Sequence, residues 1–145
     1  MHFSLIDSVL EQTSDRITAI KHVSAAEEYL QDHFPGFPVL PGVLMLEAMV
    51  QAARILARSE ERLVLGKVTA LKYGSFVQPG DTLVVYASLT SRHPDGSIDA
   101  RVEARKVGPG MPANDPQAPR AASGRVTLRP IRMDPEGTNS QADRA

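Results

Sequence analysis

At 145 residues, 42% hydrophobic and 23% charged, the chain is long enough for one domain with a proper core. Its 16 basic and 17 acidic residues leave a net charge of −1 with no basic cluster, which argues against nucleic acid or a membrane surface as partner. Cysteine is absent, which excludes disulfides, thiolate catalysis and thiolate metal sites; His2, His22, His33 and His93 lack ligand-type spacing, so no metal is expected.

The N-terminus shows no basic region followed by an apolar core, so no signal peptide is expected. The most apolar stretch, residues 42–57, is interrupted by Glu47, Gln51 and Arg54, which disqualifies it as a membrane span and makes the cytoplasm the expected setting.

In chain order, residues 3–10 form a short apolar opening. Residues 15–23 alternate weakly, with Ile17, Ala19 and Val23 on one face, and predict a strand. Ser24 followed by Glu27 is a capping-box pattern, which predicts one or two helical turns through Tyr29 and Leu30 and delivers the chain to His33. From His33 to Gly42, Pro35, Pro38 and Pro41 each fix φ near about −65° and remove a backbone donor, so the segment reads as a stiff extended loop. Pro41 suits a first helical position, and a helix is predicted from about Pro41 to Arg58.

A polar turn at 59–62 leads to an apolar strand over 63–72, broken at Gly66, where a bulge or bend is expected. Pro79-Gly80-Asp81 signals a turn, after which Leu83, Val85, Ala87 and Leu89 mark a strand. Residues 92–97 read as a hairpin loop with Asp95-Gly96 at its tip. The next strand places Ile98, Ala100, Val102 and Ala104 inward and Asp99, Arg101, Glu103 and Arg105 outward. Residues 108–119, with four prolines and two glycines, read as a mobile inserted loop, and a last strand runs from about Ser123 to Arg129. The domain is thus expected over 1–132, with the polar tail 133–145 disordered.

The predicted helix is apolar almost all round, which is the pattern of a buried helix. Glu47 lies within it with no charged partner at i+3 or i+4, and an unpaired buried carboxylate costs several kcal/mol. Two readings stand open. Glu47 lies on a narrow exposed strip with Gln51 and Arg54, or it is an acid held protonated in an apolar pocket, with Gln51 one turn on to orient it.

These residues carry a resemblance. The run His33-Phe34-Pro35-Gly36, the Pro41-Gly42-Val43-Leu44 turn and Glu47-Ala48-Met49 with Gln51 resemble the signature of the (3R)-hydroxyacyl-acyl-carrier-protein dehydratases of fatty-acid synthesis, FabZ type. Phe76-Val77-Gln78-Pro79-Gly80-Asp81 resembles that family's second, weaker motif, and the likeness extends over roughly residues 3–130. Glutamate at 47 is similar to the branch that only dehydrates.

The resemblance implies an α+β hot-dog fold, a long central helix wrapped by a curved antiparallel sheet. It implies a homodimer or a trimer of dimers, with tunnel-like sites at the interface, the histidine from one protomer and the acid from the other. By position His33 is then the base, Glu47 the acid, the Gly42 N–H the donor to the thioester carbonyl, and Gln51 a further substrate-site residue. The partner implied is an acidic acyl carrier protein, which makes a basic patch among Arg101, Arg105, Arg125, Arg129 and Arg132 an expectation. No cofactor is required, because the thioester itself acidifies C2.

Three departures from the family pattern are visible. Met1-His2 and Asp7-Ser8 stand where members carry His-Arg-Tyr-Pro and Asp-Arg, Asp32 stands where glycine usually precedes the histidine, and residues 108–119 replace a tight hairpin. The rival functions are a hot-dog acyl thioesterase and a non-catalytic acyl-binding subunit.

Overall fold

The computed structural model describes residues 3–132; the predicted tail 133–145 lies outside the described residues. Six strands, β1 (Ser8–Gln12), β2 (Arg16–His22), β3 (Leu63–Tyr73), β4 (Thr82–Arg92), β5 (Ile98–Val107) and β6 (Arg120–Pro130), accompany one helix, α1 (Gly42–Ala57). The strands form a single antiparallel sheet in the order β1-β2-β4-β5-β6-β3. Helix α1 lies across one face of it.

The alternation read from the sequence makes this face. Ile98, Ala100, Val102 and Ala104 are buried along β5, and Leu83, Val85 and Ala87 along β4. Opposite them, Ala48, Ala52, Ala53 and Ala57 of α1 are buried, so small side chains let helix and strands approach while Met49 and Leu56 fill the space between. Fully burying side chains of the Leu and Met kind is worth about 1.5–3 kcal/mol each, so this layer outweighs any local propensity.

The helix ends where its chemistry dictates. Pro41 caps it with φ −58° and ψ 139°, and Arg58 closes it in the left-handed region at φ 48°. Strands β4 and β5 run further than alternation predicted, to Arg92 and Val107, and β6 begins earlier, at Arg120, because backbone ladders continue after the alternating pattern has stopped. The turn before His33 is a single 3-10 turn, Glu28–Gln31. Its capping pair is half reciprocal. Glu27 Oε2 accepts the Ser24 N–H at 2.7 Å, while Ser24 Oγ takes the Ala26 N–H at 3.1 Å.

One expectation about α1 needs correction. Its apolar surface is not buried all round: Val43 is 67% exposed and Ile55 is exposed, and with half-buried Glu47, Gln51 and Arg54 they form one stripe at helical spacing. The pattern marked the residues as apolar, but none of the described residues covers that side.

Among the described residues strand β3 is an edge strand paired only with β6, and its register shifts at Gly66, as the glycine foretold, and again between Thr69 and Lys72, where Ala70 has φ 52°. Residues 108–119 fold back over the sheet face opposite α1. There Ala118 is buried against Val84 and Val107, and the Lys106 N–H reaches the Pro119 carbonyl at 3.0 Å.

Candidate active site

The proline-rich loop is stapled rather than merely stiff. Phe34 and Phe37 exchange backbone hydrogen bonds at 3.0 and 2.9 Å around Pro35 and Gly36, whose φ of 76° suits glycine. The Val39 N–H donates to the His33 carbonyl at 2.9 Å, and the Leu40 N–H docks on Val77 at 2.7 Å. Val77 is buried, and Phe76 beside it meets Phe37 edge-to-face at 5.8 Å. Asp81 Oδ2 accepts the Gln78 N–H at 2.9 Å, closing the Pro79-Gly80 turn that carries this dock.

His33 sits half-buried in that frame, its ring stacked on Phe34 with centroids 4.2 Å apart, and the peptide between the two is cis. His33 Nδ1 lies 2.9 Å from the Val39 carbonyl oxygen. A carbonyl only accepts, so Nδ1 carries the proton and the neutral ring keeps its lone pair on Nε2. Asp32, next to it, is exposed and caps the 3-10 turn.

At the start of α1 the Leu44 and Met45 N–H groups reach the Pro41 carbonyl at 3.0 and 3.2 Å, leaving those of Gly42 and Val43 outside the helix's own ladder. Gly42 has a close neighbour that the sequence reading did not find. A Cβ there would lie 2.8 Å from Cε1 and Cζ of Tyr73, at the end of β3. Glu47 is half-buried five residues further on, about 7.5 Å along the axis. Gln51 Nε2 donates to Glu47 Oε1 at 3.1 Å and to the Phe3 carbonyl at 2.9 Å, while Gln51 Oε1 accepts the Leu5 N–H at 2.8 Å.

A second polar group, also missed, lies on β2 and the turn that precedes the His33 loop. Lys21 is buried on the inward face of β2, in register with Ile17, Ala19 and Val23, and its Nζ meets Glu27 Oε1 at 2.7 Å. The Tyr29 hydroxyl donates to the same oxygen. Burial would raise the Glu27 carboxyl, but hydrogen bonds from Lys21, Tyr29 and the Ser24 N–H outweigh it and hold it below its ordinary range. Burial and the bond to Glu27 push the Tyr29 phenol well above its usual value. The available signal was Lys21 falling on the apolar phase of β2.

Of the arginines expected in a basic patch, Arg101 and Arg125 stand directly opposite each other across β5 and β6. Arg105 is turned to Glu103 at 2.6 Å and to the Ala118 carbonyl. No group of three metal-ligating side chains occurs among the described residues, and no helix there is long and apolar enough to cross a membrane.

One helix laid on a six-stranded antiparallel sheet, with a histidine on the loop before the helix and a carboxyl within it, defines a hot-dog protein. Residues 9–107 match the ApeI-like family, described as ApeI dehydratase. The 3-hydroxyacyl-[acyl-carrier-protein] dehydratase FabZ of Streptococcus pyogenes serotype M5 (strain Manfredo) is 43% identical over 106 residues, covering 70% of this chain and 74% of that protein. The protein of the same name from Lactococcus lactis subsp. cremoris (strain MG1363) is 44% identical over 95 residues, covering 62% of this chain and 66% of its own length. Among solved structures, the dehydratase heterocomplex ApeI:P from Xenorhabdus doucetiae shares the fold, with a TM-score of 0.62 at 16% identity over 88% of this chain and 99% of that one. The chain belongs to the ApeI-like dehydratase family.

Proposed function

We propose that the protein removes water from (3R)-hydroxyacyl thioesters on an acyl carrier protein, giving trans-2-enoyl thioesters, as a cytoplasmic step of fatty-acid synthesis. The observation that carries this reading is the His33 Nδ1 bond to the Val39 carbonyl, which in the neutral ring leaves the lone pair on Nε2 to act as base. Nε2 takes the C2 proton, whose loss the thioester eases. Glu47 gives its proton to the C3 hydroxyl, the C3–O bond breaks, and water leaves. The proton on His33 then returns to Glu47 through solvent. Negative charge on the thioester oxygen falls to the free Gly42 N–H, at the positive end of α1.

The similarity to proteins named 3-hydroxyacyl-[acyl-carrier-protein] dehydratase supports the substrate class and its carrier. A homodimer, alone or as a trimer of dimers, suits the open edge of β3 and the exposed stripe of α1. The test is interconversion of a (3R)-hydroxyacyl thioester and its trans-2-enoyl product. Wild type is expected to run it in both directions, and His33→Ala and Glu47→Gln to lose at least about 100-fold. An inert wild type, or unimpaired variants, would return the protein to a binding role.

A further inference from the structure

The Gln51 side chain is gripped by the start of the chain. Its carbonyl accepts from the Leu5 N–H at 2.8 Å and its amide donates to the Phe3 carbonyl at 2.9 Å, the donor–acceptor pair that residues two apart on a strand offer a neighbour. These two bonds decide which end of the amide is oxygen. Reversed, N–H would face N–H and oxygen would face oxygen. The remaining amide hydrogen is thereby aimed at Glu47 Oε1, 3.1 Å away, so both donors of Gln51 are used.

The gripping segment is itself held. Leu5 is buried in the main core, the Asp7 N–H donates to the Ile20 carbonyl at 2.8 Å, and Asp7 Oδ2 accepts the His22 N–H at 2.7 Å. A continuous chain of bonds therefore runs from β2 through the first residues to Gln51 and on to Glu47. An amide N–H prefers the carbonyl oxygen of a neutral carboxyl over its hydroxyl oxygen, because the hydroxyl is the poorer acceptor.

We propose that the segment Phe3–Leu5 is a positioning element for the acid, acting through Gln51 to keep Glu47 Oε1 as an acceptor and so place the transferable proton on Oε2. The inference rests on the dehydratase reading, with Glu47 as the acid. In the reaction the Oε2–H bond breaks, its proton joins the departing hydroxyl, and the carboxylate left behind keeps its hydrogen bond from Gln51.

The test uses the full chain, a deletion of residues 1–4 with the new initiating Met directly before Leu5, Gln51→Leu, and the two changes combined. Each single change is expected to lower kcat about tenfold through loss of orientation, with KM within about twofold. Combined, they are expected to fall no more than about twofold below the lower single variant, because they cut the same link. Losses that multiply, or a deletion that keeps wild-type kcat, overturn the proposal.

A readout independent of turnover is the side-chain amide NMR signal of Gln51, assigned by its loss in Gln51→Leu. It is expected to move both in the deletion and in Glu47→Ala, and a signal indifferent to either also overturns the link. Turnover that needs Glu47 but not residues 1–4 sinks this inference alone; a wild type without turnover sinks the dehydratase reading and the catalytic role of the segment together.

Discussion

Two glycines show how differently a single methyl can act. At Gly42 a Cβ would meet the Tyr73 ring at 2.8 Å, but that ring is the half-exposed end of a flexible side chain and can swing outward. Alanine also gains up to about 1 kcal/mol of helix propensity, so Gly42→Ala is expected to melt within a few degrees of wild type. Its activity is expected to fall at least about tenfold, since the methyl and the displaced ring crowd the N–H assigned to the thioester oxygen. Wild-type turnover in this variant would remove Gly42 from the mechanism. At Gly74 the obstacle is backbone. A Cβ would run into the Arg120 carbonyl oxygen, which is pinned by the Ser75 N–H at 2.9 Å, with Gly74 itself bonded to Ala121 at 2.9 Å. Gly74→Ala is expected to cost about 2–3 kcal/mol, read from its urea midpoint, because neither strand end can move aside. Neither neighbour was legible in the sequence: Tyr73 reaches Gly42 where the end of β3 packs against the start of α1, and Arg120 reaches Gly74 through strand pairing, both at long separation.

At the scale of elements, periodicity and proline chemistry go a long way. Pro41 announced the start of α1 and Gly66 a bulge, and alternation located β4 and β5, because each is a local rule acting on adjacent residues. The cluster of Lys21, Glu27 and Tyr29 escaped, because only tertiary packing turns a lysine on an apolar phase into a buried partner. Its titration gives it a recognisable signature. Glu27 has its carboxyl depressed below 4.5 in the folded protein, so its contribution is present above about that pH and is lost as pH falls through the folded value. The Tyr29 phenol is raised above 10.0, so its contribution is full below that pH and fades as pH climbs past it. Urea midpoints followed across pH are therefore expected to lose part of their acid slope in Glu27→Gln and part of their alkaline slope in Tyr29→Phe. Slopes unchanged from wild type would mean that the cluster is as wet as an unfolded chain.

For the molecule as a whole, the decisive feature is what one chain leaves uncovered. Among the described residues, Phe34, Val43, Tyr73 and Phe76 are exposed and the outer edge of β3 is unpaired. Grouped apolar exposure beside an open sheet edge is what a second copy would cover. The sequence pattern marked α1 as buried without saying by what, since periodicity reports apolarity and not the identity of the covering surface. A shared site makes a quantitative demand that a self-contained one does not. In a hybrid dimer of one His33→Ala protomer and one Glu47→Gln protomer, a site built across the interface pairs both lesions in one place and leaves the other site intact. Hybrids purified by two different tags should then recover about half of wild-type turnover, although both parent homodimers are dead. If His33 and Glu47 of the same protomer work together, every site in the hybrid carries one lesion and the activity stays at the parental floor. Recovery near half would thus establish that each active site is assembled from two chains, and would explain why Glu47 lies on the stripe of α1 that the described residues of its own chain leave open.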